Sequence, residues 1–301
     1  MRVGLDVGGS KIDAVVVDPA GEIAARVRLA TGWGAEGVID TVIAAVHAVA
    51  TDAGVNLASI KSVGIGIPGQ VDPGTGRVLH AVNLGVDELN LGAAVAAELG
   101  VTVRVENDVK AAALGAHALH RAGGDRIDSM AYLNLGTGLA AGLVLGGRLW
   151  RGARGVAGEI GHIPVDPAGP VCPCGQRGCL ELAASGSGLA RAWAGGDSVR
   201  DLFAAAAAGD ADARAVKERF VEHVAAAVRL LVLTVDPDRV VIGGGLSSLG
   251  DELLVAVRAV LADWAASSAF LAMLDLPERV EVLPRDFPAA AVGAALVGAA
   301  D

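Results

Sequence analysis

All three cysteines of the chain lie close together, at Cys172, Cys174 and Cys179, shortly after His162. One imidazole and three thiolates form the tetrahedral Cys3His set of structural zinc sites. Since four protein ligands leave no open coordination position, the sequence predicts a zinc ion that holds the fold rather than one that catalyses. Free buried thiols beside a core histidine are the alternative, disfavoured because every cysteine falls in this segment. A nucleic-acid zinc ribbon would need a fourth cysteine and a basic surface.

Three glycine loops each follow an apolar segment. They are Gly8-Gly9-Ser10, Gly136-Thr137-Gly138 and Gly243-Gly244-Gly245. Glycine lets backbone N–H groups approach a phosphate chain closely, and the two hydroxyl residues add donors. Asp6 precedes the first loop, where a carboxylate can hold Mg²⁺ directly or through water. One such loop is more often a tight turn, but three after three strands predict a nucleotide site. Neither GxxxxGK[ST] nor GxGxxG occurs at these loops, which disfavours P-loop and dinucleotide-binding proteins.

The acidic stretch Glu106-Asn107-Asp108 ends an apolar segment and precedes a run of good helix formers. Taken alone, it indicates a helix N-cap, because Asn and Asp favour that position. A carboxylate that accepts a proton during catalysis is the other interpretation, and it depends on the surrounding pattern.

Alternating strands and helices must position these residues, which predicts an α/β fold. Predicted strands lie at 2–7, 14–17, 62–67, 101–105, 130–135, 143–145, 239–242 and 279–283. Predicted helices lie near 38–53, 109–120, 215–235, 252–264 and 289–300, whereas 197–213 holds at most small helices. The strand, glycine loop and returning strand of 3–17 recur at 130–145. This repetition indicates two related lobes, although two ordinary hairpins would give the same pattern.

Composition limits the classes of protein. Hydrophobic residues make up 53% of the chain and charged residues 19%, which is typical of a globular protein. Aromatic residues are only 3%, so the core must use Val, Leu, Ile and Ala. A net charge of -10 argues against nucleic-acid or anionic-membrane partners. The sequence begins without a signal-peptide pattern and has no uninterrupted apolar run near the ~20 residues of a membrane span. These observations predict a cytoplasmic protein.

Together the motifs resemble the ROK family of bacterial sugar kinases and repressors, within the actin/hexokinase superfamily, over essentially the whole chain. The most specific element is Gly158-Glu159-Ile160-Gly161-His162 followed by Cys172-x-Cys174-Gly175-x-x-Gly178-Cys179-x-Glu181. The first phosphate loop of the family resembles Asp6-Val7-Gly8-Gly9-Ser10-Lys11, and its connecting segment resembles Gly66-Ile67-Pro68-Gly69-Gln70-Val71-Asp72.

The resemblance implies two ribonuclease-H-like lobes with an interdomain active-site cleft for a hexose and ATP·Mg²⁺. The smaller lobe would comprise 1–107 plus 287–301, and the larger lobe, with the zinc site, 108–286. The implied reaction is transfer of the γ-phosphoryl group of ATP to a hexose hydroxyl, with glucose O6 favoured. A homodimer or homotetramer is the expected assembly.

The resemblance also assigns site residues. Asp108 becomes the catalytic base, and Lys11 joins the nucleotide-binding residues of the first loop. His162 would give one ring nitrogen to zinc and the other to the sugar. The implied sugar-binding residues are Asn83, Glu106, Asn107, Glu159, His162 and Glu181.

Some positions depart from the family pattern: Lys110 replaces a common asparagine, Ser10 replaces a threonine, and Ala140-Ala141 replace glycines. These differences bear on efficiency more than on reaction class. An N-acetylhexosamine or other amino-sugar kinase is the nearest alternative. A catalytically silent sugar-binding protein is another. A transcriptional repressor of the family would carry a winged-helix segment before the first loop, and the loop here starts at Asp6.

Overall fold

The computed structural model describes residues 1–196 and 198–299. The strands of this part of the chain are β1 (Arg2–Val7), β2 (Lys11–Val17), β3 (Ile23–Ala30), β4 (Ser62–Ile67), β5 (Gln70–Asp72), β6 (Arg77–Ala81), β7 (Val86–Leu89), β8 (Thr102–Asn107), β9 (Met130–Leu135), β10 (Leu139–Leu145), β11 (Arg148–Trp150), β12 (Arg239–Gly243) and β13 (Val280–Val282). The helices are α1 (Gly34–Asp52), α2 (Leu91–Leu99), α3 (Asp108–Ala122), α4 (Gly186–Ala192), α5 (Val199–Ala207), α6 (Ala211–Val235), α7 (Asp251–Ala266), α8 (Ala269–Ala272) and α9 (Ala289–Gly298).

The chain divides into two compact units. The first comprises Met1–Arg126, Arg148–Val156 and Pro288–Asp301, and the second comprises Ile127–Gly147 and Ala157–Phe287. The boundary predicted from the sequence, at 108, falls at the start of α3. In the structure α3 groups with the first unit, because it packs along α9 and against β4.

The first unit is built on a five-stranded sheet with the order β3-β2-β1-β4-β8. The strand β1 pairs antiparallel with β2 and parallel with β4, and β4 pairs parallel with β8. Valines, leucines and isoleucines of β1, β4 and β8 pack with α1 and α2 on one face. The helices α3 and α9 cover the other face. A small sheet of order β5-β6-β7 completes this unit.

The helix α9 packs against the sheet and α3 with almost no side chains between the backbones. A Cβ added to Gly64 in β4 would lie 1.7 Å from the Ala294 carbonyl oxygen. A Cβ added to Gly293 in α9 would lie 1.7 Å from the Ala111 carbonyl oxygen of α3. Since such distances are far below a van der Waals contact, glycine is required at both positions.

The second unit repeats the plan with the strand order β10-β9-β12-β13. The antiparallel β9–β10 pair corresponds to β1–β2, and β9, β12 and β13 are parallel, as β1, β4 and β8 are. Its core is mainly aliphatic and includes two buried phenylalanines, Phe203 and Phe220, which meet edge to face. The predicted internal repeat and the α/β fold class are therefore confirmed.

The helix α1 is 19 residues long and apolar enough, by length and composition, to cross a membrane. Its apolar residues at helical spacing lie instead in the core of the first unit, where Val38, Val42, Val46 and Val49 are buried. This helix is therefore an amphipathic core helix.

Most predicted elements are present at nearly the predicted bounds. The strands β3, β5 to β7 and β11 and the helices α2, α4 and α8 had no predicted counterpart. The segment predicted to hold small helices contains α5. The predicted last helix corresponds to α9, and the end of that prediction, residue 300, lies outside the described residues.

Candidate active site and metal site

The parallel strands of the first unit bring acidic residues to one edge of its sheet. In the strand register Asp6 lies opposite Gly66, and Gly66 lies opposite Glu106. Asp108 follows β8 directly, and its Cα lies 3.5 Å from the point where a Cβ on Gly66 would stand. Because Gly66 has no side chain, the start of α3 can lie against β4. This strand lies between Asp6 of β1 and Glu106 of β8.

Asp6 and Asp108 interact electrostatically at this edge. The pKa of Asp6 is raised to about 7, mainly by burial, and the negative charges of Asp108 and Asp13 contribute to the same shift. The positive charges of Lys11 and Arg26 oppose that shift. Neighbouring carboxylates disfavour the ionised form of a carboxyl group. Binding of a divalent cation stabilises that ionised form.

Asn107 is the N-cap of α3, so the helix-cap interpretation of this stretch is confirmed. Its Oδ1 accepts hydrogen bonds from the backbone N–H groups of Val109 (3.1 Å) and Lys110 (3.2 Å). Its Nδ2 donates to the carbonyl oxygen of Gly69 at 3.3 Å. The cap therefore fixes Asp108 in the first turn of α3, and it is compatible with a second role for either residue.

Glu106 is buried, with 2% of its side chain exposed, and forms an ion pair that the sequence did not indicate. The Arg151 Nε donates to Glu106 Oε2 at 2.6 Å, and the Asn107 backbone N–H donates to Oε1 at 2.9 Å. Arg151 follows β11 and is 45 residues distant in sequence, so no local pattern could identify it. The predicted role of Glu106 in sugar binding stays a prediction.

The first glycine loop connects β1 and β2 and is bordered by two other segments of its unit. The Gly8 N–H donates to the Lys11 carbonyl oxygen at 2.9 Å. The Thr31 Oγ1 donates to the Gly8 carbonyl oxygen at 2.7 Å, and the Thr31 N–H donates to the Ser10 carbonyl oxygen at 3.2 Å. A Cβ on Gly9 would lie 3.1 Å from the carbonyl oxygen of Asn83. Asn83, a predicted sugar-binding residue, therefore lies beside the loop.

The other two loops lie at the corresponding edge of the second sheet. The Leu139 N–H donates to Glu181 Oε2 at 2.9 Å, and a Cβ on Gly138 would lie 2.6 Å from that oxygen. The predicted sugar-binding Glu181 therefore packs against the second glycine loop. In the third loop, the Gly244 N–H donates to the Tyr132 hydroxyl at 3.1 Å, which ties the loop to β9.

A cavity of about 360 Å³ adjoins the third loop within the second unit. Its lining includes Gly245, Leu246, Ser248, Leu189, Trp193, Val199 and Arg200. The Arg200 guanidinium donates to the Ser248 carbonyl oxygen and so connects α5 with the loop. The cavity has the apolar walls and few polar groups of a small-molecule site. The sequence missed it because 186–200 lacks a clear periodicity.

The metal-ligand set predicted from the sequence is brought together. One ligand atom from each of His162, Cys172, Cys174 and Cys179 lies within 4.8 Å of the others. The Sγ atoms of Cys174 and Cys179 are 3.6 Å apart. Two sulfurs bound at ~2.3 Å to one tetrahedral zinc ion lie ~3.8 Å apart, which agrees with this separation. The buried His162 Nδ1 has no hydrogen-bond partner within the described residues. The donor set therefore fits a structural zinc ion.

The backbone around the metal site is folded into short turns. Isolated bridges join Pro164 to Cys179 and Val171 to Arg177. Gly178 has φ +64°, and a Cβ there would lie 1.6 Å from a backbone carbonyl oxygen, so only glycine fits. The pKa of Cys174 is lowered to about 6, chiefly by the backbone N–H and the side chain of Gln176, whereas burial raises the pKa of the neighbouring Cys179.

The remaining predicted residues are also located. Glu159 is exposed and directly precedes the 3₁₀ turn Ile160–His162. Lys110 is buried in α3, with 4% of its surface exposed. Ala140 and Ala141 belong to β10, where they pair with Asn134 and Leu133 of β9. The two alanines therefore follow the second glycine loop rather than forming part of it.

Comparison with known proteins gives consistent matches. The model of the ROK family matches residues 2–297. A glucokinase of Halalkalibacterium halodurans is 34% identical over 277 residues, covering 85% of this chain and 83% of that relative. An N-acetylmannosamine kinase of Haemophilus influenzae is 30% identical over 264 residues, covering 86% of this chain and 85% of that relative.

Two solved structures are similar over nearly their whole length. A ROK hexokinase from Thermus thermophilus superimposes with a TM-score of 0.81 at 34% identity, covering 99% of this chain and 97% of that one. A ROK family glucokinase from Streptomyces griseus, in complex with glucose and AMPPNP, gives a TM-score of 0.80 at 33% identity and covers 99% of both chains.

Proposed function

The chain belongs to the ROK family, and we propose that it is an ATP-dependent hexose kinase whose acceptor is a hydroxyl group of glucose. Both units have the ribonuclease-H-like strand order of the actin/hexokinase fold. The observation that carries the proposal is the proximity of Asp108 to Asp6 and the first glycine loop at one edge of the sheet. The similar glucokinase from Streptomyces griseus, solved with glucose and an ATP analogue, supports this choice of substrates.

We assign Asp108 as the base. In the reaction the acceptor hydroxyl oxygen forms a bond to the γ-phosphorus, the bond to the β,γ-bridging oxygen breaks, and ADP leaves. The carboxylate of Asp108 takes the proton released from the hydroxyl. The N-cap formed by Asn107 holds this carboxylate in place, and pre-positioning accounts for much of the rate enhancement of phosphoryl transfer.

ATP is assigned to the three glycine loops. Mg²⁺ would neutralise the phosphate charge when bound, and Asp6 is the carboxylate proposed to hold it directly or through water. The backbone N–H groups of Gly8, Gly9 and Ser10 supply donors in the first unit. In the second unit, the cavity beside Gly245 has the size and apolar lining suited to a nucleoside.

The polar side chains proposed to bind the sugar are those of Asn83, Glu106, Asn107, Glu159, His162 and Glu181. Zinc would act as a scaffold in this proposal. His162, Cys172, Cys174 and Cys179 would hold the metal, and its binding would fix His162 and, through Cys179 and the turn that follows, Glu181. This coupling explains why a kinase would keep a closed metal site close to its sugar-binding residues.

An N-acetylmannosamine kinase is the second candidate, and the similarity to the relative from Haemophilus influenzae favours it. The two sugars differ at C2, where glucose has a hydroxyl and the amino sugar a larger acetamido group. Assembly as a homodimer or homotetramer and a cytoplasmic location belong to the same proposal, without nucleic-acid or membrane partners. Light scattering of the purified protein tests the assembly.

The test of function is a coupled assay of ADP release with a panel of hexoses that includes glucose, N-acetylmannosamine and N-acetylglucosamine. We expect sugar-dependent turnover with glucose preferred. The variant Asp108→Asn keeps the shape of the side chain but cannot accept the proton. We therefore expect kcat to fall by roughly 10²- to 10⁴-fold while zinc content stays that of the wild type. Turnover at the wild-type rate in Asp108→Asn would remove this residue from the role of base.

A further inference from the structure

Trp33 is the most exposed aromatic residue in the described part of the chain, with 73% of its surface accessible. It directly precedes α1, and its backbone is extended. No hydrogen bond from its side chain caps the helix. Nearby Val82 is also exposed, at 76%. Single exposed hydrophobic residues are common, so the position of Trp33 matters here because of what surrounds it.

The exposed indole nevertheless has a fixed support. A Cβ on Gly85 would lie 2.5–2.7 Å from the Cε2, Cζ2 and Nε1 atoms of Trp33. Gly85 also has φ +68°, a conformation that disfavours other residues. The backbone just before Trp33 is also fixed, because the Gly32 N–H donates to Thr41 Oγ1 at 3.0 Å. The ring therefore rests on a glycine and is not a loose surface side chain.

The support of Trp33 is continuous with the proposed active site. Thr31, two residues before Trp33, donates from its N–H and its hydroxyl to the first glycine loop. Asn83, two residues before Gly85, has its backbone against Gly9 of the same loop. Three segments of the first unit, 8–10, 31–33 and 83–85, thus form one surface. On that surface an amide side chain, an exposed indole and a phosphate-type loop are neighbours.

This combination of groups suits a sugar. A pyranose has polar hydroxyl groups around its edge and apolar C–H groups on its faces. Small-molecule sites match such ligands with aromatic surface and a few convergent hydrogen-bonding groups. We propose that Trp33 is a specificity-determining residue that contacts the acceptor sugar, with its indole against the apolar face while Asn83 binds a hydroxyl. This inference rests on the proposed kinase function and adds a residue to it.

The test compares Trp33→Ala and Trp33→Phe with the wild type. Because the side chain is exposed, both variants should fold, and circular dichroism checks this. We expect Trp33→Ala to raise the KM for the sugar by roughly five- to thirtyfold. The kcat and the KM for ATP should stay within twofold of the wild type, because the contact stabilises the bound sugar equally in the ground state and in the transition state. Trp33→Phe should retain most of the affinity. Phe270→Ala, which removes another exposed aromatic ring, is the matched control and should leave every constant unchanged.

A direct binding measurement separates the two proposals. Titration calorimetry with glucose gives the dissociation constant without turnover, and it should weaken by the same factor in Trp33→Ala. Sugar KM and dissociation constant within twofold of the wild type would overturn the role of Trp33 while leaving the kinase proposal intact. A rise in the KM for ATP alone would also overturn it and place the indole with the nucleotide. A wild-type chain that binds glucose without turnover would refute the kinase proposal, and calorimetry would still decide the role of Trp33.

Discussion

Replacement of Gly293 by alanine should displace α3 from α9 and thereby disturb the proposed catalytic base. The new Cβ would lie 1.7 Å from the Ala111 carbonyl oxygen. A carbon–oxygen contact needs about 3.3 Å, so the two helices must separate by about 1.5 Å. Because the opposing atom belongs to the backbone of α3, no side-chain rotation can relieve the overlap.

The size of this overlap determines how much stability and activity Gly293→Ala should lose. Overpacking a core usually costs about 1–3 kcal/mol, and a backbone-to-backbone overlap of this size belongs at the upper end. For a unit of this size about 3 kcal/mol corresponds to a Tm lower by roughly 6–12 °C. Since α3 carries Asp108 in its first turn, a displacement of about 1 Å there should lower kcat by up to about 10²-fold.

Differential scanning calorimetry and the ADP-release assay measure the two effects. The control is Gly123→Ala at the end of α3. Gly123 has φ -71°, and its nearest contact for an added Cβ is 3.3 Å, so alanine is accommodated with a small adjustment. A Tm for Gly293→Ala equal to that of the control, with unchanged kcat, would refute the close packing of α3 on α9.

Three further outcomes are expected. Removal of zinc with a chelator should lower the Tm of the second unit and weaken sugar binding. The variant Cys174→Ser should have the same two effects without a chelator. An unchanged Tm on metal removal would contradict a structural role for the metal. Arg151→Ala leaves the buried Glu106 carboxylate without its guanidinium partner and should lower the unfolding free energy by about 2 kcal/mol. This loss is smaller than the loss expected for a fully buried ion pair, because Arg151 is partly exposed. Glu106→Gln in the same chain should recover part of that loss in a double-mutant cycle, and strictly additive losses would argue against the pair. Asp6 has a pKa raised from 3.8 to about 7 in the folded protein, so the folded state binds its proton more tightly than the unfolded state does. The unfolding free energy should therefore fall as the pH rises from about 4 to 7 and level off above, a slope that Asp6→Asn should reduce in a pH series of chemical denaturation curves.

Much of the fold could be predicted because its signals are local. The strand β1 and the strand β9 are apolar runs followed by glycine loops, and their likeness in sequence predicted two related lobes, which agrees with the repeated strand order. The helix α6 shows its period over 25 residues. By contrast β3 alternates Ala25, Val27 and Leu29 with Arg26 and Arg28, a strand signal that the prediction missed, and the three-residue strand β5 is too short to carry such a signal. Their pairing depends on neighbours that become adjacent only in the folded chain.

The candidate site divides in the same way. The metal ligands could be found because three of them crowd into one short segment, and the N-cap at Asn107 because its residue type and position are characteristic. Arg151, Trp33 and the cavity beside Gly245 were missed, because each acquires its meaning from a residue distant in sequence. Glu106 and Gly85 give no hint of such partners until the chain is folded.

The position of α9 has a consequence for synthesis of the protein on the ribosome. This helix fills a groove lined by β1 and β4, which lie far earlier in the sequence. The amino-terminal unit therefore stays incomplete, with the small residues of its sheet uncovered, until α9 has been synthesised. The other unit is encoded in one nearly continuous stretch and has all its strands earlier. A nascent chain should thus need protection by chaperones over its first segment, and a truncation of a few carboxy-terminal turns should harm the amino-terminal unit most.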